Sequence, residues 1–130
     1  MLFRSVDPRA LRRALEQARL PGLRFQETSW RPFYGRSQGA SLHGVRLVLD
    51  DPARLDPVRC ALVFLVTLQQ LHPDSLQLES AEVVAKHWGG TRLLERLRAG
   101  DSADEIAADW ARDQQAFAAA RSAALLYSPP

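Results

Sequence analysis

Two stretches in the first half of the chain alternate apolar and polar positions. Leu23 and Phe25 begin the first, and positions 45, 47 and 49 are apolar in the second. A period of two residues is typical of half-buried strands. The intervening residues hold three glycines, at 35, 39 and 44, and the aromatic segment 30–34. The pattern therefore predicts two strands joined by a long, glycine-containing connection.

The length of this connection makes it a candidate binding element. Connections in compact domains have a median length of about 4–6 residues, and longer ones are usually functional or disordered. This one contains Trp30, Phe33, Tyr34 and Arg36. Aromatic and guanidinium side chains favour the functional alternative.

The remainder of the chain is dominated by helical patterns. Asp7-Pro8 is a helix-start signal, and Asp56-Pro57 predicts a second helix over about 57–72 that is apolar nearly all round and therefore central and buried. Ser102-Ala-Asp-Glu105 is a capping box that opens a long C-terminal helix. The apolar tail 125–127 is expected to pack back onto the core.

A short apolar stretch, Leu76-Gln77-Leu78, is the predicted third strand. If it pairs in parallel with 45–49, the segment 45–78 is a right-handed β-α-β crossover. The predicted fold is thus α/β (α+β): a small mixed sheet of about three strands, packed by a central buried helix and a long C-terminal helix. We expect residues 1–130 to form a single domain.

Composition and charge exclude some classes of protein. No apolar run reaches the roughly 18–20 residues of a membrane-spanning helix, and the N-terminus has no apolar signal region, so the default expectation for a full gene product is cytoplasmic. Residues 1–49 hold nine Arg against three acids, whereas residues 50–130 hold eight Lys and Arg against twelve acids. Since the N-terminal arginines alternate with Glu16 and Gln17 on a helix, a solvated face is favoured over a nucleic-acid partner.

The chain does not combine its reactive side chains into a recognised catalytic motif. Cys60, the sole cysteine, lies in an apolar helix and is expected to be a buried structural thiol. The three histidines are far apart, so neither a metal site nor a cofactor is predicted. Glu79 and Glu82 share a spacing that suits paired carboxylates, but their acidic surroundings favour a solvent-facing role.

Taken in order, short motifs along residues 8–127 resemble the C-terminal domain of the NamZ family of exo-β-N-acetylmuramidases. Family positions are matched by Leu20-Pro21-Gly22-Leu23-Arg24-Phe25, Trp30-Arg31-Pro32, Gly39, His43-Gly44-Val45, Asp56-Pro57-Val58, Leu71-His72-Pro73, Gly90-Thr91, Arg98-Ala99-Gly100, Ile106, Trp110, Asp113, Phe117, Arg121 and Leu125-Leu126-Tyr127. Two positions depart from the pattern: Leu42 stands where the family usually has Cys, and Phe33 precedes Tyr34 where the family tends to have a small residue.

The resemblance implies an accessory, cleft-forming domain of an enzyme that removes N-acetylmuramic acid from peptidoglycan fragments during muropeptide turnover. The family's catalytic residues belong to a Rossmann-like domain that we expect to be absent here, so no residue of this chain inherits a catalytic role and its own enzymatic activity stays open. The expected partners are a saccharide containing N-acetylmuramic acid and a catalytic domain or a separate catalytic chain. The candidate ligand contacts are Trp30, Tyr34, Arg36 and His43.

A second interpretation remains open from the sequence. The chain could be a stand-alone, non-enzymatic binding or interaction module that docks to a partner protein through the 22–45 region. An encoded catalytic domain upstream of Met1 would favour the hydrolase interpretation over the module.

Overall fold

A computed structural model describes residues 2–3, 6–35, 37–73 and 81–127 of the chain. Within these ranges the elements, in chain order, are β1 (Leu2–Phe3), α1 (Pro8–Gln17), β2 (Leu23–Trp30), β3 (Leu42–Leu49), a single 3-10 turn (Pro52–Arg54), α2 (Pro57–Leu71), α3 (Ala81–Trp88), α4 (Arg92–Ala99) and α5 (Ala103–Ser122). The fold class is α+β, which confirms the sequence-based prediction.

The described strands form one antiparallel sheet in the order β1-β3-β2. β2 and β3 pair along eight residues each, from Leu23 opposite Leu49 to Trp30 opposite Leu42. The strand β1 was not predicted, because two residues are too few to give a periodic signal. The predicted strand 76–78, whose parallel pairing would have made the sheet mixed, lies outside the described residues.

Capping side chains fix the starts of α1, α2 and α5 as predicted. Asp7 Oδ1 accepts hydrogen bonds from the backbone N–H groups of Arg9 (2.9 Å) and Ala10 (3.3 Å). Asp56 accepts from Arg59 N at 2.9 Å, and Ser102 and Glu105 complete the capping box of α5. Such caps satisfy backbone donors that have no partner inside the helix.

Helix α2 lies between two hydrophobic clusters and is the central buried helix, as predicted. Its residues Cys60, Val63 and Leu68 pack with α1 and the sheet. Leu62 and Val66, on another side, pack with α4 and the first turns of α5. A helix that is apolar nearly all round can serve two cores at once.

The C-terminal tail does not pack on the core, so that prediction was wrong. Leu125, Leu126 and Tyr127 are all exposed, and Leu126 retains 90% of its accessible surface. The physical reason is that α5 leaves the body of the domain: each residue from 111 to 127 is exposed. The tail is thereby carried away from both clusters.

Gly22 sets the turn between α1 and the sheet. Its φ is +77°, a left-handed conformation that glycine adopts without strain, and its carbonyl accepts from Asp50 N at 2.8 Å. A Cβ atom at this position would lie 2.3 Å from the carbonyl oxygen of Asp51. The turn therefore admits no side chain.

We predict that Gly22→Ala destabilises the fold by about 3 kcal/mol, because strain in φ and a backbone clash act together. Gly35→Ala is the matched control, since Gly35 also has a positive φ, +82°, but has open space around its Cα. The control should lose only about 1 kcal/mol. Urea denaturation measures the free energy of unfolding of both variants. Equal losses of stability would contradict the predicted backbone clash at position 22.

Candidate functional site

The β2–β3 ladder holds the connection 31–41 at one end of the sheet. The ladder ends at the Trp30–Leu42 pair, so both candidates Trp30 and His43 lie on strands rather than in the loop. The connection is closed on itself by a hydrogen bond from Gly39 N to the carbonyl of Pro32 at 2.9 Å. The loop therefore starts from a rigid base.

Adjacent aromatic side chains stand out from this loop into solvent. Phe33 is 83% exposed and Tyr34 71% exposed. Their rings meet edge to face, with centroids 4.8 Å apart and an interplanar angle of 69°. Large exposed aromatic side chains in contact with each other are typical of surfaces that bind a ligand or another protein.

The four sequence-based candidates do not converge on one face. Trp30 is 54% exposed and pairs with Leu42 across the ladder. His43, the next residue along β3, is exposed on the opposite face of the sheet, since successive side chains of a strand alternate. Tyr34 extends from the loop, and Arg36 lies outside the described residues.

Phe33 is the residue that sequence reasoning left out of the candidate set. Its exposure exceeds that of Tyr34, which it contacts directly. The signal that could have found it is local: two consecutive aromatic residues follow Pro32 and precede Gly35, where a strand pattern is absent. We refer to Trp30, Phe33 and Tyr34 together as the aromatic tip.

The most elaborate polar cluster lies elsewhere, between α4 and α5. Asp109 is buried and accepts hydrogen bonds from Arg96 and Arg112, while Arg92 lies 3.2 Å away. Arg96 also donates to Asp101. The cluster therefore ties the two helices together around one carboxylate.

The electrostatics of this cluster oppose acid catalysis. Burial alone would raise the pKa of Asp109, but the hydrogen bond from Arg112 and the charges of Arg96, Arg92 and Arg112 outweigh it and hold that pKa below its ordinary value. A general acid that protonates a glycosidic oxygen needs a raised pKa. Asp109 is thus built to stay ionised.

Other titratable groups are likewise unsuited to acid catalysis or to nucleophilic attack. The hydrogen bond from Arg24 lowers the pKa of Asp50, and that from Ser102 lowers the pKa of Glu105. Cys60 is buried as predicted; burial, aided by the charge of Asp56, raises the pKa of its thiol and disfavours the nucleophilic thiolate.

The pair Glu79 and Glu82 offers no further site. Glu79 lies outside the described residues, and Glu82 is exposed and pairs with Lys86 at 2.7 Å, as a solvent-facing helix would. Over the described ranges, no group of three or more His, Cys, Asp or Glu side chains could hold a metal ion. None of the described helices combines the length and the apolarity needed to cross a bilayer.

An apolar groove of about 440 Å³ lies between α2 and the end of the sheet that is opposite the loop 31–41. Its lining residues are all apolar: Leu23, Leu47, Leu55, Pro57, Cys60, Ala61, Phe64, Leu65 and Leu68. Leu23 begins β2 and Trp30 ends it, so the groove and the aromatic tip lie about 20 Å apart along the strand. The lining offers no charged or amide side chain to orient a polar ligand such as a saccharide.

Comparison with known proteins matches nearly the whole chain to one family. The model of the C-terminal part of the exo-β-N-acetylmuramidase NamZ matches residues 3–127. The chain belongs to the NamZ C-terminal domain family. The resemblance inferred from short motifs is thereby confirmed.

Two relatives locate the chain within larger proteins. It is 26% identical over 117 residues to the peptidoglycan β-N-acetylmuramidase NamZ of Bacillus subtilis, a match that covers 90% of this chain and 28% of that protein. The crystal structure of a DUF1343 family protein from Bacteroides fragilis has the same fold, with a TM-score of 0.77 at 21% identity over 98% of this chain and 34% of that one. The chain thus spans about a third or less of the relatives it matches.

We predict that Asp109→Asn lowers the melting temperature more than Asp104→Asn. Asparagine at 109 removes the buried carboxylate that pairs with three arginines, of which Arg96 is partly buried, whereas Asp104 is largely exposed and pairs with Arg59 at 2.5 Å. Differential scanning calorimetry at neutral pH compares the two variants. Equal losses would mean that the Asp109 cluster contributes no more stability than the exposed Arg59–Asp104 pair.

The stability difference between wild type and Asp109→Asn depends on pH because the pKa of Asp109 is lowered in the folded chain. Because the folded-state pKa lies below the unfolded value of about 3.9, the stabilisation is complete above that value and is lost as pH falls through the folded pKa. The stability difference between wild type and Asp109→Asn should therefore persist down to about pH 4 and shrink below it. A difference that closes already between about pH 6 and pH 5 would contradict this assignment.

Proposed function

We propose that this chain is the accessory, cleft-forming part of a NamZ-like exo-β-N-acetylmuramidase and acts in peptidoglycan turnover without being catalytic alone. The observation that carries the proposal is the aromatic tip, held in solvent by a rigid ladder in a chain that belongs to the NamZ C-terminal family. A catalytic domain, or a separate catalytic chain, supplies the reacting groups.

The chemistry of the tip suits a saccharide. Exposed aromatic faces stack on the apolar C–H faces of sugar rings, and Trp30 and Tyr34 provide two such faces near the end of β2. Arg36, which follows them in the sequence, suits the lactyl or peptide carboxylate of a muramyl ligand because a guanidinium binds a carboxylate through two parallel hydrogen bonds. His43 lies on the central strand and faces the other side of the sheet from Trp30, so we do not expect it to contact a ligand that is stacked on Trp30.

The lowered pKa values of Asp50, Glu105 and Asp109 support the proposal that another domain or chain supplies the reacting groups. A glycosidase that works through two carboxyl groups needs one of them protonated near neutral pH, and the lowered pKa values make these three groups unsuited to that role. We expect the reacting acid on the partner.

One observation favours the alternative, a non-enzymatic module that docks to a partner protein. Phe33 exposes more of its surface than Trp30 or Tyr34, and a largely exposed phenyl ring suits a protein pocket as well as a sugar. In that case the aromatic tip binds the partner and the saccharide does not bind this chain.

We predict that Trp30→Ala and Tyr34→Ala each weaken binding of a muramyl oligosaccharide by about tenfold, since a stacked aromatic side chain contributes on the order of 1–2 kcal/mol. Titration of the isotope-labelled chain, followed by NMR, measures affinity and locates the shifted amides. Tyr127→Ala is the matched control, because Tyr127 is also a highly exposed tyrosine but lies in the C-terminal tail.

The two functions give different results in this titration. Shifts confined to the aromatic tip and sensitive to Tyr34→Ala support saccharide binding. If the wild-type chain gives no shift with the saccharide but its tip shifts on addition of a NamZ-type catalytic domain, the docking module is the correct interpretation.

A further inference from the structure

The face of α5 that packs on the domain continues beyond it. Ile106 and Trp110 lie on this face, where Ile106 is buried against α2 and α4 and Trp110 stacks on Trp88 at 5.7 Å. At 100° per residue, Asp113, Phe117 and Arg121 share the same face. Phe117, however, is 66% exposed.

This exposed half makes little contact with the rest of the chain. Residues 111–122 extend about 18 Å beyond the last packed turn, and most helical stability in proteins comes from tertiary packing of an apolar face. A helix with an apolar position on an unpacked face therefore points to a partner that covers that face.

The order of charges on the face identifies the partner. Asp113 and Arg121 each lie four residues from Phe117, one on either side and opposite in sign. If a second α5 is laid antiparallel with the two Phe117 rings at the centre, Asp113 of each copy faces Arg121 of the other. The face is thus complementary to itself, which is what a two-fold interface requires.

We propose that two copies of this chain associate through the C-terminal halves of their α5 helices, antiparallel about a two-fold axis at Phe117. Trp110 stays stacked on Trp88 within its own chain, so the two helices overlap over the turns from Asp113 to Arg121.

The contact that Asp113 already makes does not compete with this pairing. Arg92 Nη1 lies 3.4 Å from its carboxylate, and both side chains are more than half exposed. An exposed pair of this kind contributes little, and a carboxylate has lone pairs for a second guanidinium. Charge reversal at position 121 therefore acts on the dimer without disturbing a strong contact within the domain.

The test is a charge-swap cycle read by sedimentation equilibrium over about 10–200 µM chain, a range that brackets a dissociation constant of some tens of micromolar. R121D places like charges opposite each other and should weaken association at least about tenfold. D113R should do the same. The double variant D113R/R121D restores opposite charges and should recover association to within about threefold of wild type.

Two controls separate the interface from general effects. R13D makes the same charge change at an exposed position of α1 and should leave association unchanged. Melting temperatures of all variants should stay close to wild type, because positions 113, 117 and 121 are exposed in the single chain.

F117A removes the central contact and should also yield a monomer.

The proposal is overturned if the wild-type chain is monomeric throughout this concentration range, or if R121D associates as wild type does. It is also overturned if the double variant stays as weak as the single ones, since a partner other than a second copy would not be restored by the swap. A monomer whose α5 amides become protected from hydrogen exchange only on addition of a NamZ-type catalytic domain would assign this face to that domain instead. None of these results depends on saccharide binding, so they stand apart from the proposed function.

Discussion

The antiparallel pairing of β2 and β3 is the constraint on which the structure depends. Eight consecutive pairs fix the register from Leu23–Leu49 to Trp30–Leu42, and a slip of one residue would move Phe25 and Val45 from the covered face to solvent. The same pairs determine what stands at the end of the hairpin. Since Trp30 is the last paired residue of β2, the loop 31–41 and its aromatic side chains continue from that end of the hairpin.

Much of this arrangement could be predicted from the sequence. Period-two patterns located β2 and β3, and the caps Asp7, Asp56 and Ser102 located three helix starts, because these signals depend on neighbouring residues alone. The bounds of the strands could not be predicted, because Thr28, Ser29 and His43 are polar and are held in the ladder only by their partners. The exposed course of α5 was missed for a similar reason: its helical spacing continues without change after the packing has ended.

The candidate site was partly predictable. The sequence identified Trp30 and Tyr34 as members of one segment but could not show that His43 faces the other side of the sheet, because faces are assigned by register. It also could not rank Phe33 above its neighbours, since exposure is a property of the folded loop. The Asp109 cluster was not predicted at all: its three arginines come from α4 and α5 and meet only when those helices pack.

The polar interactions of the chain thus serve mainly to stabilise the fold. Large apolar side chains are left exposed at the aromatic tip and along α5. The lowered pKa of Asp109 and the raised pKa of the buried Cys60 thiol make these two groups unsuited to acid catalysis and to nucleophilic attack, respectively. The chain spans 28% of its Bacillus subtilis relative, and we propose that the reacting acid lies in another domain or chain.

The most direct test of this account is turnover of a chromogenic N-acetylmuramide by the purified chain, alone and after addition of a separately produced NamZ-type catalytic domain. The account predicts no turnover by the chain alone and a gain in the activity of the catalytic domain when the chain is added. Hydrolysis by the chain alone, abolished when one of its own carboxyl groups is replaced by an amide, would contradict it.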